Sequence, residues 1–379
     1  MLFDSPLHIA RITTHPIAMP LVHRFETSFG GGQLWSSVIV RLETKSGAVG
    51  WGEVTAMFSP GYSYETGQTA LHILNDFLIP RLLQQSVCDF KDWAWLEGVR
   101  GHPIAKHGLL SAILSAWAEE QGLPLAEVIQ RMAGASTRQE RIKVGVSVGI
   151  EKSIDATLAV VAGHIAEGYG RIKLKIKPGW DVEVMRQVRR AFSDVLLMAD
   201  ANSAYRLDDA PLLRQLDDLD LLMIEQPLGY DDIWEHSRLR PQLKTPLCLD
   251  ESLHSFGHVQ LAHQLQACDI VNLKPQRVGG IWEAIEIHNF CQQNGLQLWV
   301  GGMLETGIGR AMSVTLASLP HVTLPSDLSA TKRYYDPDLA EPYFELNPDS
   351  TLTVPSAPGL GVTVDEARLA EAEARYKNR

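Results

Sequence analysis

Cysteine is scarce in this chain: Cys88, Cys248, Cys268 and Cys291 are the four among 379 residues, and none forms a CxxC pair. No apolar run approaches the roughly 18 residues that cross a bilayer. The N-terminus lacks a basic segment followed by an apolar stretch and a cleavage site. Together these absences lead us to expect a soluble, cytoplasmic protein with reduced thiols. Positive charge is also short, with 34 Lys and Arg against 45 Asp and Glu and a formal net charge of −11. That balance argues against nucleic acid and against anionic membranes as partners, since both need clustered Lys and Arg. There is no GxSxG nucleophile motif. Gly30-Gly31-Gly32 has neither the spacing nor the strand-to-helix setting of a phosphate loop. His258 and His263 stand five apart, off a common helix face, so a surface or core role fits them better than metal ligation.

What is present is regular. Lys175, Asp200, Glu225, Asp250 and Lys274 recur at intervals of 25, 25, 25 and 24, each at or just past the end of a short apolar run. One polar residue per strand-helix unit, delivered repeatedly to the same end, is the signature of a parallel barrel rim. Seven short strands are predicted at Ile142 to Val148, Arg171 to Ile176, Val195 to Met198, Leu221 to Ile224, Pro246 to Leu249, Asp269 to Leu273 and Leu296 to Val300, with amphipathic helices between them. A doubly wound open sheet is the alternative, because periodicity does not show closure.

Before the barrel, residues from about Leu7 to Val54 alternate like an antiparallel sheet, with Lys45-Ser46-Gly47 as a turn, and from about Tyr64 to Met132 the apolar spacing is helical. The expected fold is therefore α/β: an α+β capping domain over residues 1–135, a (β/α) barrel over 136–326, and a segment 327–379 that packs back on the cap and ends in a helix near Asp365 to Tyr376. Two cap stretches are candidate lids. One is a mobile loop from His23 to Gln33 carrying Phe25 and Phe29; the other is Phe58 to Tyr64 around Pro60-Gly61.

Three carboxylates converging on one rim need a cation, and all-oxygen ligation favours Mg²⁺ (or Mn²⁺) over zinc. Lys173 and Lys175 are two apart on a strand, so both point to one face, and in a barrel covered by helices that face is the interior. Inward lysines near a metal are expected to have depressed pKa values, which would let one act as a base near neutrality. Lys274 can approach from the opposite side. A metal on the substrate carboxylate and a lysine beside the α carbon together suit proton abstraction α to a carboxylate. Asn202 and Asn272 can hydrogen-bond the ligand set, and Glu251 is an outer candidate expected to point away from Asp250. Asp269 falls at the wrong end of its strand. Gly301, Gly302 and Met303 follow the seventh strand where backbone can approach a ligand, and Glu305 either orients a substrate or lysine or serves as a charge at a helix N-terminus.

KLKIKPGWD from Lys173, DANSAY from Asp200, MIEQPL from Met223, LDES from Leu249, NLKPQRVGG from Asn272 and GGMLETGIGRA from Gly301 resemble the muconate-lactonizing-enzyme subgroup of the enolase superfamily. Within it they are most similar to the o-succinylbenzoate synthase and N-acylamino acid racemase family. RFETSFG from Arg24 and DLSATKRYYDPDL from Asp327 extend the likeness over nearly the whole chain. Pro275-Gln276 before Arg277 departs from the small or glycine residue frequent in that family. The resemblance implies a modified (β/α)7β barrel, Mg²⁺ on Asp200, Glu225 and Asp250, Lys175 and Lys274 as the acid/base pair, and Lys173 as a partner of Lys175 or of the substrate carboxylate. It further implies a small carboxylate substrate and an assembly of identical subunits. A synthase would use one lysine for a syn dehydration that serves menaquinone synthesis, and a racemase would use both from opposite faces. A metal-free Schiff-base aldolase on the same barrel is a different reading, and it leaves the three spaced acids without a role.

Overall fold

The computed structural model describes residues 6–28, 30–84, 96 and 98–379. Three antiparallel strands open the chain, β1 (Ile9–Thr27), β2 (Gly30–Thr44) and β3 (Val49–Val54). The helix Pro103–Glu120 lies directly on β3. A Cβ at Gly52 would come within 1.9 Å of the Gly108 carbonyl oxygen, so only glycine allows this approach. Its N-terminus has no side-chain cap of its own; Glu65 supplies one, accepting from the amides of Ile104 at 2.8 Å and Ala105 at 3.0 Å.

The stretch expected to be a mobile loop, His23 to Gln33, is instead the tip of the β1–β2 ribbon. Phe25, Glu26 and Thr27 pair with Gly32, Gly31 and Gly30. All three glycines act as strand residues, and Gly31 is required there because a Cβ would meet the Phe25 carbonyl oxygen at 2.2 Å. Phe29 lies outside the described residues.

Seven parallel strands follow in sequential order: β5 (Val146–Val148), β6 (Arg171–Lys175), β7 (Leu196–Asp200), β8 (Ile224–Glu225), β9 (Leu247–Leu249), β10 (Ile270–Leu273) and β11 (Gln297–Val300). Their alternation separates two cores. Leu174, Leu197, Ile224, Leu249, Leu273 and Val300 belong to the large core beneath the helices, whereas Met198, Met223, Cys248, Ile270 and Trp299 pack together inside the barrel. Each large outward side chain contributes about 1.5–3 kcal/mol by burial, so strand register is firmly specified.

Closure comes from two residues. Ser326 lies between the ends of the sheet, its amide donating to the Lys143 carbonyl oxygen and its own carbonyl accepting from Gly145, both at 2.9 Å, while the Asp327 amide donates to Val300 at 2.9 Å. The segment therefore stands in for an eighth strand, and an open doubly wound sheet is excluded. The single strand expected from Ile142 to Val148 is split. β4 (Arg141–Lys143) pairs antiparallel with Thr351–Thr353, and the Arg171 side chain crosses over Gly145, where a Cβ would lie 2.3 Å from its Nε.

The chain ends in the helix Glu366–Lys377, capped by Asp365 and packed on β1 through Arg375 to the Ala18 carbonyl oxygen at 2.9 Å and His15 to Glu373 at 3.2 Å. Among the described residues no helix is long and apolar enough to cross a membrane.

Candidate active site

Period two on the barrel strands directs one row of side chains inward, and the site is the last inward position of each. Lys175 is paired in register with Asp200, and Asp200 with Glu225. Asp250 and Lys274 directly follow β9 and β10. Lysine amines lie between the carboxylates. Lys175 Nζ donates to Asp200 at 2.6 Å and to Asn202 Oδ1 at 2.7 Å, and Lys274 Nζ donates to Asp250 at 2.8 Å. Lys173 Nζ is 3.1 Å from Glu225, 3.2 Å from Asp200 and 2.8 Å from Asp327. Arg277 pairs with the other oxygen of Asp250. β6 and β10 are four positions apart in an eight-position ring, so Lys175 and Lys274 face each other across it.

The outer partners hold the carboxylates in place. Asn272 Nδ2 donates to Glu225 Oε1, and Asn202 Nδ2 donates to Glu251 at 2.9 Å. Glu251 was expected to point away, but β9 ends at Leu249, so strand alternation no longer governs it and its carboxylate turns toward Asn202. Gln226, with φ +39°, turns its side chain beneath Asp250 and accepts from that residue's amide at 2.9 Å. Asn202 and Ser203 also hold positive φ, so left-handed backbone is concentrated at this rim. Gly301 is required here, since a Cβ would sit 2.2 Å from Asn272 Oδ1 and 2.5 Å from Lys274 Cε. Gly302 packs on the Asp327 carbonyl oxygen, and the Met303 amide donates to Glu305 Oε2 at 2.6 Å. Glu305 thus ties the loop before the helix Gly307–Ala317, and Asp269 sits at the far end of the barrel, accepting from the Leu247 amide at 2.8 Å and paired with Arg240.

The chain's own charges shift two of the lysines upward. Burial lowers Lys173, but Asp327, Glu225 and Asp200 outweigh it and hold the ammonium well above its ordinary range. Burial also lowers Lys274, and Asp250 and then Tyr62 overturn it in the same way. Burial raises Asp250, yet Lys274 and Arg277 bring it below the usual carboxylate range. Glu225 goes the other way, pushed far up by burial and then by Asp200. Burial, followed by Asp250 and Asp200, lifts Glu251 to about 7.

The cap reaches the site at two points. Tyr62 donates its hydroxyl to Asp250 Oδ1 at 2.8 Å and accepts from Lys274 Nζ at 3.2 Å, with the ammonium 4.4 Å from its ring centroid. At the ribbon tip, the Ser28 hydroxyl donates to the Asn202 carbonyl oxygen at 3.0 Å, and the Glu26 carbonyl accepts from the Ile150 amide at 3.0 Å. Phe25 is buried edge-on against Tyr334, centroids 6.2 Å apart. Under Tyr62 and Tyr64, against Tyr230, Glu251, His254 and Arg277, the cavity is only about 20 Å³.

Residues 156–368 match the model of the enolase C-terminal domain-like family, and residues 9–129 match the mandelate racemase / muconate lactonizing enzyme N-terminal domain. The chain belongs to the enolase superfamily, in its muconate-lactonizing subgroup. A superfamily relative from Geobacillus kaustophilus named o-succinylbenzoate synthase is 42% identical over 364 residues, covering 96% of this chain and 95% of its own length. One from an Amycolatopsis species named N-succinylamino acid racemase is 44% identical over 358 residues, covering 94% and 95%. A crystal structure of a superfamily member from Enterococcus faecalis V583 superposes with a TM-score of 0.89 at 39% identity, covering 97% of this chain and 98% of that one.

Four participants were not assigned from sequence. Tyr62 lay inside a stretch noted only as a lid, Gln226 inside MIEQPL, Arg277 inside NLKPQRVGG, and Asp327 at the head of DLSATKRYYDPDL. Period-two counting also reaches Ser147, which is in register with Lys173 and donates to Asp327 at 2.7 Å.

Proposed function

We propose that this chain is a divalent-metal-dependent o-succinylbenzoate synthase, dehydrating 2-succinyl-6-hydroxy-2,4-cyclohexadiene-1-carboxylate in the cytoplasm. The observation that carries the chemistry is the facing pair Lys175 and Lys274, each on its own carboxylate; the full-length relatives named for this reaction support the substrate. In this reading residues 1–135 cap the barrel 136–326, and 327–379 complete the cap.

The donor set fits a hard cation. Asp200, Glu225 and Asp250 are 1%, 0% and 1% exposed and offer only oxygen, and burial, with repulsion from Asp200 next, drives Glu225 far above its ordinary pKa. Glu251 Oε2 and Asn272 Oδ1 are buried beside them without a hydrogen-bond partner. Among the described residues no group of three or more such side chains forms a ready ligand cage, because the ammonium groups lie between the acids. Asp200, Glu225 and Asp250 would hold Mg²⁺ or Mn²⁺, which when bound offsets negative charge growing on the substrate carboxylate.

The chain's own residues do the rest. Lys175 removes the proton α to the carboxylate and returns it to the β hydroxyl leaving from the same face, so water departs and the ring becomes aromatic. Lys274, across the ring, supports the enediolate as a cation. Arg277 and Tyr62 fix Asp250 and Lys274 beside it.

Steady-state conversion of that substrate, with Mg²⁺ and with excess EDTA, tests the proposal. Turnover that EDTA abolishes supports it, and no turnover in Mg²⁺ sinks it. The 44% identical racemase favours a second reading, in which the same two lysines exchange the α proton of an N-succinylamino acid from opposite faces.

A further inference from the structure

Lys173 has three N–H bonds and three carboxylates within ion-pair reach, at 2.8 Å (Asp327), 3.1 Å (Glu225) and 3.2 Å (Asp200). Its seat is closed below by the Trp299 ring, whose centroid is 5.0 Å from Nζ. Two of those carboxylates have a second claim on them. Asp200 Oδ2 is shared with Lys175 at 2.6 Å, and Asp200 and Glu225 both belong to the set that would take a cation. Asp327 has no such claim. Its carboxylate is fixed from other directions, by Arg171 at 3.1 and 3.2 Å and the Ser147 hydroxyl at 2.7 Å, and its backbone closes the barrel on Val300.

We propose that Asp327 is a positioning residue that seats the Lys173 ammonium independently of Asp200, Glu225 and Asp250. Without it, Lys173 slides onto Asp200 Oδ2 and competes with Lys175 for the oxygen that orients the proposed base. The Arg171 guanidinium is not left stranded by the loss, because it also donates to the Ser326 carbonyl at 2.9 Å and the Pro325 carbonyl at 3.3 Å. The effect on turnover rests on the proposed lysine chemistry, but the position of Lys173 does not.

The test is the crystal structure of Asp327→Asn together with its kinetics. Expected are a Lys173 Nζ drawn out of its seat, its distance to residue 327 lengthening from 2.8 Å to about 3.5 Å or more while that to Asp200 Oδ2 shortens from 3.2 Å to about 2.8 Å, with the Asp327 to Val300 backbone bond kept, and a kcat lower by on the order of 10- to 100-fold with KM within about 2-fold. A purely structural aspartate would leave kcat in the folded variant untouched. Lys173 found in its original seat overturns the inference whatever the rates are. A wild type inactive on both the cyclohexadiene and the N-succinylamino acids overturns the proposed function instead, and the variant's Lys173 still decides this one. Should Asp327→Asn not fold, Asp327→Asn combined with Lys173→Met removes both buried charges. Recovery of folding by the pair supports the seat, and failure of the pair overturns it.

Discussion

Tyr62 of the cap donates its hydroxyl to Asp250 of the barrel at 2.8 Å, a contact that spans 188 positions of sequence. It ties the cap to both Asp250 and Lys274, because the same oxygen accepts from Lys274 Nζ. Tyr62→Phe keeps the ring under the Lys274 ammonium and removes only the hydroxyl. We expect kcat/KM to fall on the order of 10-fold, the equivalent of about 1.4 kcal/mol of lost hydrogen bonding to a charged group, with an unchanged circular dichroism spectrum. A variant with wild-type kcat/KM would show that the contact plays no part in turnover.

Lys175→Ala and Lys274→Ala separate the two roles proposed for the facing lysines. Both should lower dehydration by on the order of 10²–10⁴-fold while leaving the fold intact. If the racemase reading holds, exchange of the α proton with deuterium oxide distinguishes the two variants: each retains exchange for one enantiomer of an N-succinylamino acid and loses it for the other. Near-normal turnover by either variant would remove that lysine from the mechanism.

How far the sequence reached depends on where each residue sits relative to a periodic element. Lys173, Lys175, Asp200 and Glu225 end recognisable apolar runs, so counting by two places them on the inner face, and the register agrees. Asp327 escapes because the strand that carries it is a two-residue closure with no run of its own. Tyr62 escapes because its stretch reads as a lid, but nothing local shows which of its side chains reaches Asp250. The ribbon tip was misread since three glycines look like a loop, whereas here all three pair with β1 and the missing side chain of Gly31 lets the strands close. Nor does the pattern show which carboxylate lies nearest each ammonium, and those carboxylates are what raise Lys173 and Lys274.

Metal affinity should be graded through the ligand set. Asp250→Ala removes a proposed ligand and strands Arg277 and Lys274 without their shared partner, so Mg²⁺ titration of turnover should need far higher concentrations or fail. Asn272→Ala leaves all three carboxylates but frees Glu225 to rotate, and the expected weakening is on the order of 10- to 100-fold. A Mg²⁺ titration unchanged by Asp250→Ala would mean that a ligand has been misplaced.

Glu53 gives a pH prediction away from the chemistry. It is fully buried between β2, β3 and the start of the helix Gly307–Ala317, accepting from the Ser37 hydroxyl at 2.6 Å, the Thr306 hydroxyl at 2.7 Å and the Gly309 amide at 3.0 Å. Burial outweighs these donors and lifts its pKa from 4.5 to about 7. Neutral Glu53 remains satisfied, since its proton can go to the Ser37 oxygen while that hydroxyl turns to the Val54 carbonyl at 3.3 Å. Between pH 4.5 and 7 the folded chain holds a proton here that the unfolded chain has lost, so stability is fully present below that window and declines as pH rises through it. The decline is bounded at about 3 kcal/mol, on the scale of 1.36 kcal/mol per pKa unit. Glu53→Gln mimics the neutral form with its amide donating to Ser37, so its unfolding free energy, measured by urea denaturation from pH 5 to 8, should fall less steeply than that of the wild type. Parallel pH profiles for the two proteins would show that Glu53 is ionised throughout that range and that the buried donors, rather than burial, set its charge.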